Sequence, residues 1–316
     1  MSDSTATPDR DHPDQPAQPA PAWLRMIDDA AIFPPGNAAL DTALTDHLTR
    51  RTEPWAALVD TFVISDHRLA ELRGLVPPNA GPEDADPDHT DPMALSIVIG
   101  AGAGGLAPAA STAQRLDGVS LSGLEVALRD PADLVGNARR VIAALDQSLD
   151  LGLLDDDVTL SVELPQGQPT SGWLGAADEL AAREIRLKFR TGGVDAELLP
   201  SVDELGAWIT AALDRESPFK CTAGLHHAVR HHDRETGFEH HGFLNVLLAT
   251  RVCLDGGDPV EVLREESAKT LVALARELGD DTLARTRRWF TGFGSCSVDD
   301  PVEDLHELGL WTGVAR

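Results

Sequence analysis

The 316-residue chain reads as an α/β protein, a single (β/α)8 barrel of the TIM type. Three observations predict this. Apolar runs of four to nine residues recur eight times along the chain, as short buried strands do. Segments with helical apolar spacing separate most of them, and parallel strands need such crossovers. No G-x-G-x-x-G follows the first run, which argues against an open, doubly wound dinucleotide-binding sheet.

The elements follow in order. Residues 1–22 are rich in Pro, Ala, Asp and Ser and predict a disordered tail, leaving 23–316 as the barrel domain. Ala30–Phe33, closed by Pro34, Pro35 and Gly36, predicts the first strand, and Ala38–Arg51 the first helix. Leu58–Ser65 predicts the second strand, after which Asp66 caps a helix to about Leu75. An acidic, Pro-rich loop fills 76–92. Leu95–Gly100 predicts the third strand, followed by a tight turn at Gly102–Gly105 and a helix near 108–116. Ser120–Leu128 is the fourth strand, Pro131–Leu151 a long helix, Val158–Leu164 the fifth strand and Trp173–Arg183 a helix. Ile185–Thr191 is the sixth strand. Ser201 and Glu204 have capping-box spacing for a helix to about Asp214. Pro218–Thr222 is the seventh strand, and helices are expected over 242–252, 258–278 and 280–287. Trp289–Ser297 is the eighth strand, and Val302–Leu308 a closing helix.

Charge and composition exclude several functions. A formal net charge of −26 repels polyanions, and no basic stripe is present, so nucleic acid is not an expected partner. No apolar run approaches the roughly 20 residues of a membrane span. The N-terminus lacks the pattern of a signal peptide, and Cys221, Cys253 and Cys296 form no disulfide framework. A cytoplasmic protein that does not bind membranes is expected. No nucleotide, NAD or flavin fingerprint follows the first strand, and the Gly-rich turn after the third carries no P-loop lysine, so no organic cofactor is expected, and no G-x-S-x-G supports a hydrolase elbow. A homo-oligomer stays open.

Alternation along the later strands assigns their interior side chains, because barrel strands point alternate residues inward. With the apolar residues facing helices, Glu125, Ser161, Glu163, Arg186, Lys188, Arg190, Lys220 and Thr222 point inward, and Cys221 outward. Charges are rarely placed in an interior for stability, since each unpaired one costs several kcal/mol. Barrel enzymes keep their reacting groups at these strand ends. Only Lys188, Lys220 and Lys269 are lysines. Two interior lysines predict a lowered pKa through mutual repulsion. Lys188 would then be a Schiff-base nucleophile beside Lys220, with Glu163 or Glu125 moving protons. Arg190, Thr191, Gly192, Gly193, Thr222, Gly224, His226, His227 and Ser295 are candidates to hold a small anionic substrate. Asp28 and Asp29, just ahead of the expected first strand, are caps or counter-ions. Cys221 reads as packing, whereas Cys296 ends the eighth strand and could face the mouth, where a nucleophilic role is not the preferred reading.

Lys188-Phe-Arg-Thr-Gly-Gly on the sixth strand and Lys220-Cys-Thr-Ala-Gly on the seventh resemble the paired lysine motifs of class I aldolases of the deoxyribose-phosphate aldolase type. The resemblance implies a (β/α)8 barrel with its Schiff-base lysine at Lys188 and its second lysine at Lys220. Glu125 is the nearest match to that family's fourth-strand Asp. The stretches IDDAAIFPPGN, LKFRTGG, FKCTAGLHH and HGFLNVLLA also resemble an uncharacterised barrel family.

Six histidines between His226 and His241 support a rival reading. Imidazoles bind transition metals, and His226, His227 and Glu163 would be ligands of a metal-dependent hydrolase or lyase. In a lysine enzyme, His226 or His227 would instead be an acid/base or an anion contact. His231, His232, His240 and His241 are expected on a loop surface. A third reading is a non-catalytic barrel that binds a small anionic metabolite.

Overall fold

Strands that bury one apolar face need helices to cover it, and the chain supplies them in alternation. The computed structural model describes residues 20–77, 91–234 and 236–311. In chain order the elements are β1 Ile27–Asp29, α1 Leu40–Arg50, β2 Val59–Ser65, β3 Met93–Ile99, α2 Leu106–Ala113, β4 Val119–Ala127, α3 Leu134–Asp150, β5 Thr159–Glu163, α4 Ser171–Ala182, β6 Arg186–Arg190, α5 Val202–Leu213, β7 Phe219–Thr222, β8 His231–His232, β9 Glu239–His240, α6 Phe243–Leu254, α7 Pro259–Arg264, α8 Ala268–Leu278, α9 Asp280–Thr286, β10 Phe290–Ser295 and α10 Asp299–Glu307. Eight strands close in the order β1-β10-β7-β6-β5-β4-β3-β2, every neighbouring pair parallel. This is the expected (β/α)8 barrel. No helix among the described residues is long and apolar enough to cross a membrane.

Aromatic rings pack the strand–helix interface behind the strands that carry the lysines. Phe189 of β6, Phe219 of β7 and Phe290 of β10 lie ring against ring, with centroids 5.1 and 5.5 Å apart. Trp173 of α4 and Trp208 of α5 close on Phe189 at 6.3 and 5.6 Å. Such rings bury large areas in preferred geometries, and they fix the orientation of the strands whose opposite faces carry Lys188 and Lys220. The expected capping box forms at Ser201 and Glu204.

Four expectations are corrected. The first strand is Ile27–Asp29, not Ala30–Phe33: Asp28 and Asp29 pair with Gly294 and Ser295 of β10, their charges being satisfied by partners remote in sequence. Asp66–Leu72 is a 3-10 helix rather than an α-helix, because the Asp66 carboxylate that accepts from its own turn also accepts from Gly100 N–H, 2.9 Å away. The helix expected over 258–278 is two. Buried Asn245 donates to the Val262 and Glu265 carbonyls at 2.8 and 2.7 Å, and Ser267 caps a fresh start. His231–His232 and Glu239–His240 form an antiparallel hairpin where a loop was expected. Of the expected tail, residues 1–19 lie outside the described residues, as do 78–90 of the acidic loop. Ala22, placed in the tail by composition, is fully buried.

Arg287 locks the start of the barrel to its end. Its guanidinium donates to the carbonyls of Ala22 (2.8 Å), Leu24 (3.2 Å) and Arg25 (3.2 Å) before β1, and to Phe290 (3.0 Å) and Thr291 in β10. Burial pulls its pKa down to about 10, so it stays charged at neutral pH. A fork of five N–H donors suits this geometry and an ammonium does not. Arg287→Ala is expected to lower the unfolding free energy by about 3 kcal/mol, with Arg287→Lys recovering little; urea titrations of the three proteins measure both.

Candidate active site

The interior side chains enter as strand alternation predicts, and they join into a line of alternating charge across the barrel. Arg190 Nε donates to Glu163 at 2.9 Å. Lys188 Nζ bridges Glu163 at 3.0 Å and Glu125 at 2.7 Å. Lys220 Nζ meets the other Glu125 oxygen at 2.6 Å and also donates to Asp28. Asp28 in turn accepts from Thr61 Oγ1 at 2.6 Å, and Glu125 from Ser96 Oγ at 3.1 Å. Three cations (Arg190, Lys188, Lys220) thus balance three carboxylates (Glu163, Glu125, Asp28). Lys188 and Lys220 are each 3% exposed.

The pairing reverses the expected lysine electrostatics. Burial alone pulls the Lys188 amine down, but Glu125 and Glu163 outweigh it and hold its pKa above the ordinary lysine value. Lys220 behaves likewise: burial and Arg186 lower it, while Asp28 and Glu125 prevail and raise it. The expectation of repelling amines fails because Glu125 stands between them. Burial also pushes the Glu125 and Glu163 carboxyls up, and their cations overcome this and hold both below the usual carboxylate range.

Above this line opens a cavity of about 200 Å³ at the C-terminal mouth. Glu125, Lys188, Lys220 and Arg190 face it from below, and Phe33, Pro34, Val63, Val98, Val194 and Leu198 give it apolar walls. It is smaller than the roughly 300–1,000 Å³ of drug-sized sites, which suits a ligand of a few heavy atoms. Gly193, Thr222 and His226 also line it.

Other candidates have different roles. Thr191 is buried and donates to the Ala223 carbonyl at 2.6 Å, tying the end of β6 to the end of β7. Gly192 and Gly224 approach each other rather than a ligand: a Cβ on Gly192 would lie 2.6 Å from the Gly224 Cα. Ser295 is buried, with its hydroxyl committed to the Ser297 carbonyl at 2.6 Å. His227 faces Asp304 at 3.3 Å, outside the cavity. His241 is fully buried, not on the surface. Its Nε2 donates to the Pro200 carbonyl at 2.8 Å, and burial takes its pKa down to about 4. The proposed metal set is not assembled: Glu163 is held by Lys188 and Arg190. Among the described residues no three His, Cys, Asp or Glu side chains are grouped to hold a metal ion.

Two residues hold larger places in the site than the sequence reading gave them. Asp28 is the terminal counter-ion of the lysine line; its place inside β1 was hidden by an acidic pair that does not read as a strand. Cys296 lines the cavity, with its sulfur 3.5 Å from His226 Nε2. No family model matches the chain, and no curated protein matches it in sequence.

Glu125→Gln strands two ammoniums on one carboxylate each, and is expected to cost about 3–5 kcal/mol at pH 7. Because its folded pKa is depressed, Glu125 stabilises the fold above the unfolded value of about 4.3 and ceases to do so as pH falls further. The gap between parent and variant should therefore shrink in acid, as urea titrations at pH 7 and at about pH 3.5 would show. Amine acylation of the resting protein, read by peptide mass spectrometry near pH 8.5, should modify exposed Lys269 and spare Lys188 and Lys220.

Proposed function

We propose that this chain is an enzyme that acts on a small anionic carbonyl compound through Lys188, by lyase or aldolase-like Schiff-base chemistry at the barrel mouth. The observation that carries this reading is the Lys188 amine at the floor of the cavity, hydrogen-bonded to two carboxylates that can take and return its proton. An ion pair this buried is a poor way to gain stability, since hydrophobic replacements are often neutral or better. The resemblance of both lysine motifs to the deoxyribose-phosphate-type aldolases points the same way.

The resting ammonium is not a nucleophile, so the reading requires a trigger, and Arg190 supplies one. It holds Glu163 from the mouth side, and its side chain is 34% exposed. A substrate anion that draws Arg190 away removes one of the two cations that depress Glu163. Glu163 then becomes a better base, and the Lys188 proton moves to it across the 3.0 Å contact. The neutral amine attacks the carbonyl carbon, and the oxygen leaves as water after taking two protons, the one held by Glu163 and a second given up by the attacking nitrogen and relayed through the same carboxylate. The resulting iminium accepts the electron pair of the breaking bond. Lys220 stays charged between Asp28 and Glu125, keeping Glu125 ionised.

Borohydride trapping tests this. With glyoxylate, a reduced adduct is expected on Lys188 in preference to Lys269, and Lys188→Met should remove it. Acetaldehyde, which has no charge to engage Arg190, should favour Lys188 much less. If anionic carbonyl compounds leave Lys188 unmodified while labelling Lys269, the reading is wrong.

A further inference from the structure

The wall of the same cavity carries a thiol and an imidazole, with a carboxylate beyond the far side of the imidazole ring. Cys296 follows the end of β10, His226 follows β7, and Asp300 lies in the first turn of α10. The sulfur stands 3.5 Å from His226 Nε2, within the longer reach of a sulfur donor. The other ring nitrogen, Nδ1, lies 3.3 Å from Ser295 Oγ and 3.6 Å from the Asp300 carboxylate.

Hydrogen counting fixes the tautomer. Ser295 Oγ has one hydrogen, and it is donated to the Ser297 carbonyl at 2.6 Å. Towards His226 the hydroxyl can therefore only accept. Nδ1 carries the proton, which the Asp300 charge also favours. Nε2 is left as a bare acceptor aimed at the Cys296 thiol. This is the arrangement of a nucleophile, its base and the group that orients the base.

We propose that Cys296 is a second nucleophile of this cavity, with His226 as its base and Ser295 and Asp300 as positioning residues, and that it adds to small aldehydes. Sulfur forms a bond to the carbonyl carbon as its proton passes to His226 Nε2. The C=O π pair becomes an alkoxide, which takes the proton back from the imidazolium. The product is a hemithioacetal, and the step needs no oxidant and no leaving group.

The surroundings leave both partners neutral at rest. Burial pulls His226 below the ordinary histidine value, with Asp300 opposing and His227 and His240 reinforcing the shift. Burial raises the Cys296 thiol, as do Asp300 and Asp29, against backbone hydrogen bonds from Gly36 and its own N–H. The charged groups of the floor, Lys188, Lys220, Glu125 and Arg190, face the same cavity. The thiol therefore depends on His226 for activation and is not a standing thiolate.

Peptide-resolved alkylation with iodoacetamide tests the site on the full chain, and the two other cysteines are internal controls. Cys221 is fully buried and Cys253 partly exposed. Near neutral pH, Cys296 is expected to react at least about tenfold faster than Cys253, and His226→Ala to remove that advantage. Asp300→Asn should give a smaller loss. Glycolaldehyde should protect Cys296 equally in the parent and in Lys188→Met, which keeps this outcome separate from Schiff-base formation on the floor. Cys296 reacting no faster than Cys253 in the parent overturns the proposal, with no variant required. Protection that vanishes in Lys188→Met overturns the hemithioacetal.

Discussion

Glu125 accepts from Lys188 on one oxygen and from Lys220 on the other, at 2.7 and 2.6 Å, inside the barrel. Desolvating two ammoniums and a carboxylate costs several kcal/mol for each ion, and only close alternation of sign offsets it. The rest of the line exists to complete that alternation. Asp28 and Thr61 end it on the β1–β2 side, and Glu163 and Arg190 end it on the mouth side. The ends differ in exposure: Asp28 is buried, whereas part of Arg190 reaches the cavity. The mouth therefore reaches the line at its most exposed member, Arg190.

The two nucleophiles proposed for the cavity would be activated by different means. Lys188 is held as an ion by carboxylates whose hold can be loosened through Arg190. Cys296 is neutral beside a neutral base, and nothing need be displaced for its proton to move. The floor is charged and the wall above it mostly apolar. On the proposed reading, one cavity would offer a small carbonyl compound two chemically distinct nucleophiles.

The barrel and the interior cluster were legible because both rest on local regularities. Alternation along β4, β5, β6 and β7 placed Glu125, Glu163, Lys188, Arg190 and Lys220 without any long-range information. What could not be read locally is who stands next to whom. Two lysines on adjacent strands suggest repulsion until Glu125 is seen between them. Asp28 read as either a cap or a counter-ion, and the choice could not be made locally because its partner, Lys220, is distant in sequence. The glycines after β6 and β7 suggested ligand approach, whereas Gly192 and Gly224 pack on one another. Cys296, His226 and Asp300 come from separate segments, and no spacing rule joins them.

Closure of the barrel through β1 and β10 bears on how the chain is made. β1 lies at Ile27–Asp29 and its neighbour β10 at Phe290–Ser295, so a chain emerging from the ribosome cannot complete the cylinder until β10 has been synthesised. Until then the growing sheet has two open edges, the form most prone to pairing with other chains. Asp28 waits for Lys220, and the carbonyls of Ala22, Leu24 and Arg25 wait for Arg287. Ring closure then waits for the last strand of the barrel. A stalled or truncated chain would be an open sheet whose most acidic strand has lost its cation.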